Sequence, residues 1–330
     1  MSATVASASP TRMRPARRLL GNGTLIVAVL YAVLFVIFAA RQSDALSQTG
    51  ITDLFNNALP LALAAAGGAL VVLTRGFDLS VAGVVALCNV LMATEVGDGP
   101  AGALEGLAIV VGIGLVVGAA NGILVAYVRL QSIASTLATM IVTSGLALLV
   151  LDAPGGNVPD FVANNLTDVV FGKLPVAALI ALGIVLVWLV LRRTDWGVAL
   201  YAVGADETAA GLAGIPTRRV KFFAYCLAGV FYGLSGYMLS ALTATGNPNA
   251  GNSYLLLTFA AIAIGGTSFS GGRGGVVGAM IGAATLTLLQ KVLFSAGVSS
   301  FYTGIFQGVV MILAVLVAAV SDRFASGRRA

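Results

Sequence analysis

Side chains able to do covalent chemistry are nearly missing from this chain, and those present stand apart from one another. It contains no histidine, which removes the commonest general base, nucleophile partner and metal ligand. The acidic residues fall almost entirely at the ends of apolar stretches or between them, so no two carboxylates are placed for acid–base work at one centre. Cys88 and Cys226 lie singly inside apolar stretches. That speaks against a disulfide framework or a zinc cluster and fits small packing residues. A phosphate-cradling G-x-x-x-x-G-K-[ST] loop is absent: Gly266 to Gly271 begins like one, but Gly272 and Arg273 stand where a lysine and a hydroxyl are needed. The chain is therefore expected to be a non-enzyme, with no catalytic residue, metal site or cofactor of its own.

What remains is the chemistry of binding and solvation. Asp78 stands three residues after Arg75, a spacing that allows pairing across one helical turn. It is expected to be a boundary residue capping the helix that follows, rather than an ion-coupling carboxylate at membrane depth. Asn89 and Asn121 are costly to bury without partners and are candidates for either a solute pathway or a structural role. Ser132, Ser135, Thr136, Thr139 and Thr143 form a hydroxyl stripe at helical spacing. Such a stripe can line a passage for a polyhydroxylated solute or form interhelical hydrogen bonds.

These residues are carried by ten apolar stretches, at 24–40, 51–74, 79–94, 103–127, 132–151, 174–191, 220–243, 251–267, 276–290 and 301–320. Most approach the roughly 20 residues that a bilayer-spanning helix requires. Only 9% of the residues are charged, so the position of each charge is informative. Threading the stretches back and forth from an inside N-terminus leaves Arg12, Arg14, Arg17, Arg18, Arg75, Arg129, Arg192, Arg193, Arg218, Arg219, Lys221, Arg273, Arg323, Arg328 and Arg329 inside. Only Arg41, Lys173 and Lys291 fall outside. Basic residues are retained on the cytoplasmic face. The expected architecture is thus an all-α polytopic membrane bundle of about ten transmembrane helices with both termini cytoplasmic: a tail at 1–23, a transmembrane domain at 24–320 and a tail at 321–330. The first stretch is read as a retained helix, because no small-x-small cleavage site follows it before Arg41. A net charge of +5 does not point to nucleic acid, since the basic residues sit in short loops at membrane edges. The eighth stretch is the weakest, because its purely apolar part, Leu255 to Ile264, has the length of a re-entrant or interrupted segment. Unless it crosses, Arg273 and the C-terminal arginines fall outside, so it is expected to cross, extended through Ala250 to Thr267.

Without a coupling carboxylate inside a span, the energy source is expected outside this chain. The loop at 192–221 is where it would act. Its centre, Asp206 to Gly214, has the pattern of a short helix: Asp206 and Glu207 suit the positive N-terminal end, and Gly214 followed by Ile215-Pro216 suits termination. A helix this short is marginal alone, and the small Ala209, Ala210 and Ala213 would let a partner's backbone approach; an ordinary solvated connection fits the local pattern equally well. Glycines at 114, 118 and 122, and again at 274, 278 and 282, repeat every fourth residue, the spacing of close helix packing. The run Gly265 to Gly275 is read as a tight turn rather than a gate.

Four motifs in register resemble the permease subunits of bacterial ribose-type ABC importers, across roughly residues 50–320. Ala202-Val203-Gly204-Ala205-Asp206-Glu207-Thr208-Ala209-Ala210-Gly211-Leu212-Ala213-Gly214-Ile215, followed by Arg218, Arg219 and Lys221, is similar to that family's coupling loop, with Asp206 where asparagine is common. Gly76-Phe77-Asp78-Leu79-Ser80-Val81 resembles its G-x-D-L-S-V-G signature, with Ala82 in place of the last glycine. Gly118-Ala119-Ala120-Asn121-Gly122 resembles G-x-x-N-G, and Ile264-Gly265-Gly266-Thr267-Ser268-Phe269-Ser270-Gly271-Gly272-Arg273-Gly274 matches I-G-G-T-S-x-x-G-G-x-G. The resemblance implies a ten-helix type II importer architecture. Two permease subunits, identical or paralogous, would form the pathway; two ATP-binding subunits holding ATP and magnesium would dock on the Glu207–Ile215 segment; and an extracytoplasmic binding protein would deliver a sugar. The function expected is the transmembrane subunit of an ATP-driven importer for a monosaccharide or related polyol in the bacterial inner membrane. The alternative is a stand-alone secondary transporter or channel.

Overall fold

The computed structural model describes residues 23–298 and the isolated positions 302, 305, 308 and 309. The rest of the tenth stretch, residues 1–22 and the tail at 321–330 lie outside the described residues. The chain enters on α1 (Gly23–Arg41) and α2 (Gln48–Leu73), then passes through a non-helical segment to a short α3 (Val81–Thr94). A long α4 (Gly99–Gly122) ends in a π-helical turn at Ile123–Tyr127 and is followed by α5 (Ser132–Val150). A small cap follows, made of α6 (Asp160–Thr167) and the paired strands β1 (Val169–Val170) and β2 (Leu174–Pro175). Next come α7 (Val176–Leu191), α8 (Asp195–Ala205) and the single short turn of α9 (Glu207–Leu212). The described part closes with α10 (Thr217–Thr243), α11 (Gly251–Ile264) and α12 (Val276–Ser295).

Each of the first nine apolar stretches folds as a helix, and the protein is an all-α polytopic bundle. Among the described residues six helices are able, by length and composition, to cross a bilayer alone, or seven when α7 and α8, bent by 79° at their junction, count as one. Helices α3 and α11 have 14 residues each, which gives each a length of about 21 Å, short of a hydrocarbon core of about 30 Å. The eighth stretch thus differs from its expected extent: its helix spans Gly251–Ile264 rather than continuing to Thr267. Glycines with positive φ at Gly266, Gly271, Gly272, Gly274 and Gly275 turn the backbone away immediately afterwards.

Central packing follows small residues. Helix α10 runs antiparallel to α2 and α4, with the Ser235 hydroxyl donating to the Pro60 carbonyl at 2.7 Å and the Tyr237 hydroxyl to the Ala103 carbonyl at 2.9 Å. A methyl group added at Gly114 would lie 2.2 Å from the Gly229 carbonyl oxygen, and one at Gly118 2.4 Å from that of Tyr225. The α4–α10 seam is therefore a backbone-to-backbone contact of the small-xxx-small kind. Gly278 and Gly282 serve the same purpose between α12 and α11. Cys88 and Cys226 are buried and free.

Two ends of the bundle are distinguishable. At one, Gly23 meets Gly266, and Gly272 N–H donates to the Leu73 carbonyl at 3.0 Å beside α8. At the other, Gly155 and Gly246 exchange backbone hydrogen bonds of 2.9 and 2.8 Å, and Asn157 N–H donates to the Ala93 carbonyl. The start of α1 therefore lies at the same end as α8 and α9. At that second end the Asp98 carboxylate accepts from Phe161 N–H at 3.1 Å and Gly99 N–H at 2.8 Å, which hold its carboxyl below the usual carboxylate range. A depressed pKa supports the folded link at and above the ordinary carboxylate range, and the support is lost as acid protonates the group. Measured against the intrinsic exchange rate at each pH, protection of the Phe161 amide is expected to fall as pH drops below that range, and to be lower at neutral pH in Asp98→Ala; unchanged protection in both would show that the carboxylate does not hold the α4–α6 junction.

Candidate functional site

Two short helices, α3 and α11, each follow a non-helical segment, and they meet at their helical starts. Residues 75–80 run as non-helical backbone along the first turns of α5: Phe77 N–H donates to Ser132 Oγ at 3.2 Å and Leu79 N–H to Thr136 Oγ1 at 3.0 Å. Helix α3 then begins. Residues 245–250 run beside α3 in the opposite sense, with Asn89 Nδ2 donating to Ser240 Oγ and the Thr245 carbonyl, and Asn247 N–H donating to Asn89 Oδ1 at 2.7 Å. Helix α11 starts at Gly251, where an added methyl would sit 1.8 Å from the Ala82 carbonyl oxygen. The positive ends of two half-helices thus abut inside the bundle. Non-helical backbone at such depth is tolerated only where protein satisfies it, and here the α5 hydroxyls and Asn89 do so.

Asp78 fastens this junction. Its Oδ1 accepts from Ser80 N–H at 3.0 Å and Ser80 Oγ at 2.6 Å. Asn121 Nδ2 donates to Ser80 Oγ at 3.0 Å, and Thr139 Oγ1 donates to Asn121 Oδ1 at 2.8 Å. One polar chain thereby ties the start of α3 to α4 and α5. Tyr232 of α10 faces the carboxylate without reaching hydrogen-bond geometry, and among the described residues the second Asp78 oxygen, Oδ2, has no partner. Arg75 does not pair with Asp78, contrary to the expectation from spacing. Arg75 sits at φ 64°, which swings its side chain toward α8, where the guanidinium donates to the Gly204 carbonyl at 2.7 Å and to that of Ala205.

The basic end carries a second arrangement. Helix α8 leaves α7 at 79°, starts from a Thr194 cap whose hydroxyl accepts from Gly197 N–H, and is pinned at its far end. Arg75 holds Gly204 and Ala205, Tyr201 Oη donates to the Gly274 carbonyl at 2.8 Å, and an added methyl at Gly204 would fall 1.8 Å from the Leu73 carbonyl oxygen. From this elbow projects α9. Asp206 caps it by accepting from Ala209 N–H at 2.9 Å, and Gly214, at φ 84°, ends it. Glu207 pairs with Lys221 of α10. Ala210 turns inward and is buried, so it is not part of the small-residue face foreseen for a partner; the outward side chain is Leu212, 87% exposed.

Comparison with known proteins now bears on these features. The family model described as "Branched-chain amino acid transport system / permease component" matches residues 50–315. The chain belongs to this permease family. The permease is 37% identical over 86% of its length to the ribose import permease protein of Bacillus subtilis (strain 168), covering 89% of that protein. It is 33% identical over 98% of its length to a probable ABC transporter permease protein of Sinorhizobium fredii, 97% covered. To the autoinducer 2 import system permease protein of Yersinia enterocolitica it is 32% identical over 90% of its length, 81% covered. No solved structure matches.

Within the permease, the residues singled out in the sequence fall into three places. Gly76, Asp78, Leu79, Ser80, Asn121, Thr136 and Thr139 gather at the junction of the half-helices, Asn89 lies further along α3 against Ser240 and residues 245–247, and Ser135 bonds its own helix, at the Gln131 carbonyl. Gly265, Gly266, Thr267, Gly271 and Gly272 form the turn after α11, where Thr267 Oγ1 accepts from Gly275 N–H at 3.0 Å. Asp206, Glu207, Thr208, Ala209, Ala210, Gly214, Ile215 and Arg218 surround α9. Leu212 and the Arg75–Gly204 link had no signal in the sequence, because exposure and contacts across 129 positions leave no local pattern.

Proposed function

We propose that the chain is the transmembrane subunit of an ATP-driven importer for a ribose-, xylose- or galactose-like monosaccharide or a related polyol. The observation that carries this reading is α9, a capped, outward-facing turn held on a pinned elbow at the basic end, in a chain whose relatives are named as ribose and autoinducer 2 import permeases. Those names favour a hydroxylated solute over the amino acid in the family description, and the serine, threonine and asparagine side chains at the half-helix junction suit such a solute. Ten crossings with both termini in the cytoplasm place the basic end, and α9, inside the cell. Two ATP-binding subunits, supplying ATP and magnesium, dock there; a second permease copy or a paralogue completes the pathway in the inner membrane, and an extracytoplasmic binding protein delivers the solute to the opposite end. Nucleic acid has no part in this scheme.

Leu212→Asp tests it, because it places a charge on the outward face of α9 without touching the packed Ala210. Co-purification of the ATP-binding subunit and ATP-driven ribose uptake are expected to fall at least tenfold, with the permease accumulating normally. Undiminished uptake would remove α9 as the site of coupling.

A further inference from the structure

Beside α9 lies a cavity of about 680 Å³, lined in part by Glu207, Thr208, Leu212 and Arg218 of the coupling segment itself. Its walls come from distant parts of the chain: the end of α2, the π-turn and the residues after it, and the starts of α9 and α10. Four cationic side chains line it, Arg75, Arg129, Arg218 and Lys221, against one carboxylate, Glu207. Glu207 is already paired with Lys221, and Arg75 spends its guanidinium on two backbone carbonyls that carry no formal charge. Among the described residues Arg129 and Arg218 make no hydrogen bond or ion pair. Retention of positive charge on one face explains why basic residues lie at this end. It does not explain why basic residues from three separate segments converge on one hollow, where mutual repulsion costs free energy. Arg193, which serves orientation equally well, stands outside it.

We propose that this cavity binds a phosphate-bearing anion, supplied in the membrane by the headgroup of an acidic phospholipid. Arginine forks suit phosphate oxygens, and basic pockets at the cytoplasmic edge of helix bundles suit acidic headgroups. The mouth also supplies a surface for acyl chains. Leu130 lines the cavity and is half exposed, and it opens a line of exposed apolar side chains along α5 through Ile133, Leu137 and Ile141. Such an anion would neutralise the charge surplus flanking α9. The inference stands on charge and shape and does not rest on ATP coupling, so the test reads binding by the chain alone.

The purified full chain in detergent is mixed with phosphatidylglycerol, with phosphatidylcholine or with inorganic phosphate, and retained lipid is counted by native mass spectrometry alongside thermal melting. Retention of phosphatidylglycerol at least tenfold above phosphatidylcholine is expected. Arg129→Ala combined with Arg218→Ala should lower it about tenfold, while Arg193→Ala should leave it unchanged. Melting raised by millimolar inorganic phosphate, and lost in the double variant, would support the same site with a soluble source. Equal retention of the two lipids without any phosphate effect, or wild-type retention by the double variant, would overturn the proposal. Should the double variant fail to accumulate, Arg129→Ala alone decides, because Arg129 has no partner to lose among the described residues: retention about threefold lower supports the site, and unchanged retention overturns it.

Discussion

Gly251→Val is expected to abolish uptake and to destabilise the permease strongly. The added Cβ would lie 1.8 Å from the Ala82 carbonyl oxygen and 2.6 Å from its carbon. Both neighbours are backbone, so no side chain can rotate aside to make room. Overpacking of an interior typically costs about 1–3 kcal/mol. This contact belongs at or beyond the top of that range, because relief requires one half-helix to slide away from the other. Thermal melting in detergent measures the cost. Gly183→Ala is the control: it lies inside α7 with no atom within 4 Å of an added methyl and is expected to melt as the wild type does or slightly higher. Wild-type melting and uptake in Gly251→Val would show that the two helix starts do not abut.

Asp78→Ala carries the second large effect, and Asp78→Asn separates its causes. Alanine leaves Ser80 N–H and Oγ without their acceptor in a buried place. Hydrogen bonds to charged groups contribute about 1.5–3 kcal/mol each, so a loss of about 3 kcal/mol or more is expected, read as a lower melting temperature and poor accumulation. Asparagine keeps an oxygen for Ser80 and offers an N–H toward Tyr232, so Asp78→Asn should fold and retain most uptake. If asparagine is as damaging as alanine, the charge itself is required, and the view of Asp78 as a fastening acceptor fails.

How much of this was legible in the sequence depends on what hydropathy measures. Apolar runs located α2, α4, α5, α10 and α12 well, because full-length helices present continuous apolar surface. The same runs overran α3 by two residues and α11 by three. Leu79 counts as apolar whether its backbone is helical or extended, and only a partner's side chain, Thr136, decides which. In the eighth crossing the Asn247-Pro248-Asn249 sequence ahead of Gly251 did mark the break, since proline and its predecessor resist helix. Helices α6 and α8 went unread for the opposite reason: Asp160-Phe161-Val162-Ala163-Asn164-Asn165 and Asp195-Trp196-Gly197 have loop composition, and their helicity comes from docking. The hydroxyl stripe on α5 was visible as a stripe, but its division of labour was not, because Thr136 and Thr139 find partners in segments more than 15 residues away while Ser135 finds only its own helix.

The bent joint between α7 and α8 has a mechanical consequence. Helix α8 lies crosswise like a bell crank: α9 hangs from its free arm, while Arg75 and Tyr201 clamp that arm to the strips of backbone that lead into α3 and α12. A force applied to α9 would be delivered as a sideways tug on the unwound portions rather than as a lift of whole rods, so the parts of the bundle with the least stiffness would be first to yield.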